Sequence, residues 1–186
     1  MQFSDLFEDV PIVAAVKSET ELEDSLLCES NVIFLLFGDI CNISELVERV
    51  KMSGKLAIVH IDLIEGLASR EVGVDYIREQ TGADGIISTK AQLVKYAKSL
   101  GLIAIRRFFL LDSMSLDNIF KSAHTADADA YEVLPGVIPK IISQICEQCE
   151  KPIIAGGLIR DKEDVVSALS AGAVAVSSTN SSVWFL

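Results

Sequence analysis

Two stretches near the C-terminus decide the fold: Pro152-Ile153-Ile154-Ala155-Gly156-Gly157 and Ala173-Val174-Ala175-Val176-Ser177-Ser178-Thr179. Each is a short run, apolar on both alternating sets of positions, that turns polar or glycine-rich only at its end. Such a run predicts a strand covered on both faces, as in a parallel sheet. Between the two, Asp161 is placed to cap a helix whose apolar stripe passes through Val165, Ala168 and Leu169 and stops at Gly172. The local unit is strand, helix, strand.

Outward from this unit the pattern repeats. Further strand-like runs lie at Ile12–Val16, Val32–Phe37, Leu56–Asp62, Gly85–Lys90, Leu102–Phe109 and Ala130–Pro135. Helical spacing fills the gaps. Leu93, Ala97 and Leu100 share a face before Gly101, and Ile138, Ile141, Ile142 and Ile145 form a stripe after Pro135-Gly136. Other helices are predicted near Glu19–Cys28, Ile43–Met52, Glu71–Gln80 and Ser115–Ala123. Eight strands alternating with helices most simply close into an α/β barrel of the compact (β/α)8 type, because closure removes both sheet edges. A doubly wound open sheet is the competitor, but it usually has fewer strands. Spread over eight units, 186 residues give about 23 each, below the ~250 residues of a typical barrel yet enough for a five-residue strand, a short helix and two loops.

Composition narrows the function classes. The length suits a single domain, residues 1–186, with one large core. No apolar run approaches the ~18 residues that cross a bilayer, and Met1-Gln2-Phe3-Ser4-Asp5 lacks the basic start of a secretory signal. Four cysteines do not make a disulfide scaffold, so a reduced, cytoplasmic protein is expected. There are 27 acids against 16 bases, a net charge of -11, which repels polyphosphate at long range. On composition alone a nucleic-acid binder is disfavoured.

In a barrel the chemistry belongs at the C-terminal strand ends. Those ends carry His60, Asp62 and Glu65, then Ser88-Thr89-Lys90, Arg106-Arg107, Glu132, Gly156-Gly157 and Ser177-Ser178-Thr179-Asn180, whereas the opposite ends read as ordinary turns. Gly156-Gly157 and Ser177–Asn180 suit a phosphate cradle, since glycines let backbone N–H groups approach an anion and a short helix over Asn180–Phe185 adds free donors. A plain tight turn is the alternative. Arg106 and Arg107 are adjacent on a strand, so one faces the mouth or lumen and the other the helices, with Glu132 a natural partner for a buried guanidinium. Lys90 reads as a ligand contact or a solvated lysine. His60, Asp62 and Glu65 admit three readings: a carboxylate-rich Mg²⁺ site, an acid–base set, or hydrogen bonding to a polyol. His124 is the only other histidine and falls at a predicted helix end. Cys146-Glu147-Gln148-Cys149 lies at a helix C-terminus, where the dipole raises thiol pKa, so ordinary helical cysteines are expected.

Six motifs in order resemble the glycerol-3-phosphate-responsive antiterminators of glycerol uptake operons. They are His60-Ile-Asp-Leu-Ile-Glu-Gly-Leu67, Ser88-Thr-Lys90, Arg106-Arg107-Phe108, Glu132-Val-Leu-Pro-Gly136, Pro152-Ile-Ile-Ala-Gly-Gly-Leu158 and Ser177-Ser-Thr-Asn180 with Trp184, besides the opening Val10–Val16. The resemblance spans the chain. It implies a cytoplasmic, non-enzymatic regulator without cofactor or metal, whose effector is glycerol 3-phosphate and whose partner is the leader mRNA of glycerol-metabolism genes. Carried over by position, Gly156, Gly157, Ser178 and Thr179 hold the phosphate. Lys90 and Arg106 supply cations, and Asp62, Glu65 and Glu132 bind the glycerol hydroxyls. A homo-oligomer is open.

No RRM, KH or zinc-knuckle signature accompanies the RNA role. Charge is uneven, however: residues 1–30 hold eight acids and one base, whereas residues 90–121 hold six bases and two acids. Lys95, Lys98 and Lys121 mark a local basic face that either meets RNA or is simply solvated. The rival class is a barrel lyase, isomerase or phosphodiesterase acting on a small phosphorylated polyol, with the His60, Asp62, Glu65 cluster as its chemistry.

Overall fold

A computed structural model describes residues 3–123, 125 and 127–186, so the reading of His124 lies outside the described residues. The strands are β1 (Ile12–Val16), β2 (Val32–Leu35), β3 (Leu56–His60), β4 (Gly85–Ser88), β5 (Ile103–Phe109), β6 (Ala130–Leu134), β7 (Ile153–Gly156) and β8 (Ala175–Ser178). The helices are α1 (Glu19–Leu27), α2 (Ile43–Met52), α3 (Glu71–Gln80), α4 (Ala91–Ser99), α5 (Ser113–Ser122), α6 (Pro139–Gln148), α7 (Lys162–Ser170) and α8 (Ser181–Trp184). Each strand pairs in parallel with its sequence neighbours, and β8 returns to β1 through Ile12↔Val176 and Val13↔Ser177, closing the barrel. The protein is a compact (β/α)8 barrel.

The two apolar sets of each strand have separate destinations. One set fills the lumen with Val13, Phe34, Ile58, Ile87, Ile105, Ala130, Ile154 and Ala175, all essentially inaccessible. The other set, including Ile33, Val59, Ile86, Tyr131 and Val176, packs under the helices. The starts of α1, α5 and α7 follow capping chemistry. Ser18, Asp112 and Asp161 each accept the backbone N–H three residues on, at 3.3, 2.8 and 3.0 Å. The capping box between Asp112 and Ser115 starts α5 at Ser113, two residues before the sequence pattern places it.

The third strand also departs from expectation. It ends at His60, and Ile61–Leu63 forms a 3-10 turn. There the Asp62 carboxylate accepts the backbone N–H of Thr89 at 3.0 Å and the Ser88 hydroxyl at 2.8 Å, tying the segment to the end of β4.

The N-terminal ends of the strands are more specialised than ordinary turns. Asp84 accepts the Ala57 N–H on β3 at 2.8 Å, and Asp129 accepts the Ala104 N–H on β5 at 2.9 Å. Each carboxylate thus satisfies a strand-end donor of the preceding strand. A 3-10 segment, Phe3–Phe7, carries Phe7 into the lumen cluster at 3% exposure. This ring forms the floor of the barrel and leaves its interior to open at the C-terminal mouth. Replacing Phe7 by Ala should lower the unfolding free energy by about 3 kcal/mol, read as a lower urea midpoint at unchanged slope. A loss below about 0.5 kcal/mol would mean the segment does not close the lumen.

Candidate functional site

At the C-terminal mouth the lumen residues change from apolar to ionic. Arg107 on β5 and Glu132 on β6 are direct register partners, both inward, at 8% and 1% exposure. Arg107 Nε donates to Glu132 Oε2, and the Ser177 hydroxyl of β8 donates to Glu132 Oε1 at 2.6 Å. Both carboxylate oxygens are therefore occupied, while Arg107 keeps its two terminal nitrogens without an acceptor among the described residues. Gly156 of β7 makes room for this arrangement. A Cβ there would collide with Ser177 Oγ and stand 2.8 Å from Glu132 Oε1.

Above the ion pair a cavity of about 400 Å³ opens between β5–β6 and the loops after β7 and β8. Arg107, Glu132 and Ser177 form its floor, and Gly157, Leu158, Arg160, Thr179 and Asn180 its wall. Gly157 and Leu158 both take positive φ, 74° and 63°. Leucine rarely adopts that conformation, which costs roughly 1–2 kcal/mol, and strain of this kind concentrates at ligand sites. The N–H groups of Gly157, Leu158 and Thr179 have no acceptor among the described residues. Free backbone donors, Arg160 and the terminal nitrogens of Arg107 make this wall suited to an anion.

The loops are braced from behind. Ser178 donates to the Ile159 carbonyl at 2.8 Å and accepts the Asn180 N–H at 3.0 Å, and Trp184 Nε1 donates to the Ser178 carbonyl at 2.8 Å. Asn180 caps α8 by accepting the Ser182 N–H and ties back to the Arg160 carbonyl at 2.9 Å.

The structure splits the residues that the sequence groups together. Glu132, Gly157, Ser178 and Thr179 line the cavity and Gly156 lies beneath it. Asp62, Glu65 and Lys90 do not line it. Asp62 accepts from Ser69, Ser88 and Thr89, while Lys90 Nζ donates to Ser69 at 2.6 Å, forming a separate network over β3 and β4. Burial opposes the Asp62 charge, but the Thr89 N–H and the two serine hydroxyls outweigh it and lower its pKa. Glu65 is exposed, its backbone pairing with Gly38 and Ile40. Among the described residues no three acidic, histidine or cysteine side chains converge as for a metal.

Arg106 also falls elsewhere. It points outward, donating to Ser122 at 2.8 Å, so the guanidinium at the mouth is Arg107. Asn180, the last residue of the Ser177–Asn180 strand end, lines the wall, and Arg160 is a further wall residue that the strand-end pattern does not single out. Of the basic face, Lys95 is exposed on α4, Lys98 is engaged by Asp129 and the Ala128 carbonyl, and Lys121 is exposed on α5. Burial pushes the Cys146 thiol up to about 11 and raises Cys149 too, which fits inert helical cysteines.

The fold and the mouth define a barrel with a polar, anion-suited cavity over its last two strands. Residues 12–184 match the family of glycerol-3-phosphate responsive antiterminators, and the chain belongs to that regulatory family. It is 42% identical over 181 residues to the uncharacterized protein YgcP of Escherichia coli, covering 97% of this chain and 95% of that one. A glycerol uptake operon antiterminator regulatory protein from Listeria monocytogenes superposes with a TM-score of 0.91 at 29% identity over 96% of both chains. An antiterminator-related protein from Thermotoga maritima gives 0.80 at 31% identity, covering 93% of this chain and 96% of that one. Among the described residues no helix is long and apolar enough to cross a membrane.

His60 adds a measurable property. It is 3% exposed in the lumen, and burial together with the Arg107 charge lowers its pKa to about 4, against a smaller opposing pull from Asp62. The unfolded chain takes up this proton near 6.5 and the folded one only near 4. Stability contributed by the neutral imidazole is complete above pH 6.5 and is lost as pH falls toward 4, by about 3 kcal/mol. The expected result is a folded-state imidazole resonance titrating near pH 4, and a shallower acid dependence of stability in His60→Gln. A resonance titrating above pH 6 would contradict the assignment.

Proposed function

We propose that the protein binds glycerol 3-phosphate at the mouth cavity and, so loaded, acts on the leader mRNA of glycerol-metabolism genes to prevent termination. The observation that carries this reading is the pairing of two chemistries in one cavity. The loops after β7 and β8 offer free N–H donors and Arg160 to a phosphate, and the floor offers the Arg107–Glu132–Ser177 chain to hydroxyls. About 400 Å³ lies within the usual range for small-molecule sites. Family membership supports the regulatory half of the reading. The setting is the cytoplasm, where both effector and transcript reside.

A sensor is favoured over a catalyst by the state of the floor. Glu132 is the one carboxylate there among the described residues, and both its oxygens are engaged by Arg107 and Ser177 rather than open to a substrate. In this account the ligand is an effector rather than a cofactor. Calorimetry with glycerol 3-phosphate should show measurable binding that weakens at least tenfold in Gly157→Asp, which adds a negative charge at the wall, and in Arg107→Met, which removes the floor cation. Unchanged affinity in both variants would displace the site. Turnover of glycerol 3-phosphate, with or without Mg²⁺, would overturn the sensor account in favour of an enzyme.

A further inference from the structure

A second groove, of about 520 Å³, runs between the end of β5 and α5. It is distinct from the mouth cavity, yet Arg107 lines both. Three exposed side chains bring three different chemistries to it. Phe109, at the strand end, is 48% exposed. Asn118 commits only its backbone carbonyl, to Ser122, so its side-chain amide is free among the described residues. Lys121 is exposed, with no ion pair among the described residues. Behind them Arg106 is fixed in place. Its guanidinium lies 4.5 Å from the Phe108 ring centroid, donates to Ser122 at 2.8 Å and stands 3.7 Å from Asp127. Its buried Nε lacks an acceptor among the described residues.

The combination discriminates among occupants. A simple anion has no use for an exposed ring, and an apolar segment has none for an unpaired amide beside a lysine. A nucleotide uses all three: its base stacks on an aromatic face, its edge bonds an amide, and its phosphate pairs with a cation. Duplex RNA does not fit the requirement, because its bases are stacked inside and its readers work by shape across successive minor grooves.

We propose that this groove holds one unpaired nucleotide of the leader transcript, with its base on Phe109, its edge at Asn118 and its phosphate at Lys121. The inference rests on the RNA-directed reading above and adds to it the surface that RNA occupies. It also supplies a route for control. Arg107 is common to both walls, so an effector that engages its terminal nitrogens from the cavity changes the donors and charge presented to the groove. The effect on RNA is limited to the difference in affinity between the two states of that shared wall.

The test is fluorescence anisotropy with a labelled glycerol-operon leader transcript from the source organism, at two salt concentrations and with saturating glycerol 3-phosphate. Phe109→Ala should bind about tenfold more weakly, with Phe109→Trp restoring affinity. Lys121→Glu should bind more weakly, with a salt slope reduced by about one. Calorimetry should show glycerol 3-phosphate affinity unchanged in all three variants, which establishes that they are folded. Wild-type binding that survives Phe109→Ala and Lys121→Glu undiminished overturns the groove assignment alone. Altered sedimentation in those variants with RNA binding intact overturns it in favour of contact with a second copy. Absence of wild-type binding to the transcript removes the RNA reading itself, and the groove assignment with it.

Discussion

Burying a guanidinium against a carboxylate inside a closed barrel is costly unless both ions are fully bonded, because each has left water. Arg107 and Glu132 meet that condition only through features contributed by four different strands. The β5–β6 register sets Arg107 directly opposite Glu132. Ser177 of β8 reaches across to the second carboxylate oxygen, and glycine at position 156 of β7 leaves the space through which it does so. A shift of one residue on β5 would bring Arg106 inward and turn Arg107 under the helices, separating the pair. The mouth is therefore fixed by the same register that closes the barrel, and the cavity above it inherits a rigid, charged floor.

That floor explains the division of labour along the barrel axis. Below it the lumen is apolar and sealed by Phe7, so nothing polar needs to enter from the bottom. At the bottom rim Asp84 and Asp129 cap strand donors, a purely structural use of carboxylates. At the top rim the polar side chains over β3 and β4 are bonded to one another, whereas the loops after β7 and β8, braced by Ser178 and Asn180, leave the backbone N–H groups of Gly157, Leu158 and Thr179 without acceptors among the described residues. Between these two networks it is the loops after β7 and β8 that are organised around unoccupied donors, which is why the cavity on that side suits a ligand and the Asp62 network does not.

The strand–helix order was legible in the sequence because every strand is apolar on both alternating sets. The same property hid the site. On β5 the inward set contains Ile103 and Ile105 and the outward set Ala104 and Phe108, so hydrophobicity does not reveal which arginine faces the lumen. Register against Glu132 decides it, and register is a property of the folded sheet. Gly156-Gly157 and Ser177–Asn180 were readable because glycine and a polar strand end carry a local signature. The separation of Asp62, Glu65 and Lys90 from those residues was not, since position around the circumference depends on strands distant in sequence. Asp84 and Asp129 carry no local signature for a related reason: their partners lie on other strands, about 25 residues away.

Net charge illustrates how far a whole-chain quantity misleads on a closed fold. The acids at residues 19, 21 and 23 lie on α1, and Arg49 of α2 is paired to Glu19 and Glu23, so part of that excess is already compensated locally. Units one and five sit on opposite sides of an eight-unit ring, which places α1 across the whole barrel from α5. At physiological ionic strength charges are screened beyond about 8 Å, a distance shorter than the thickness of a single helix layer with its side chains. A polyanion approaching α5 therefore meets the exposed Lys121 rather than the average of -11, while Arg106 behind it is already paired to Asp127. What the acidity does impose is selectivity of contact. In the proposed nucleotide groove, binding would be confined to a small face and would gain its affinity from stacking and edge contacts as much as from charge, because the remaining acidic surface repels a nucleic-acid strand.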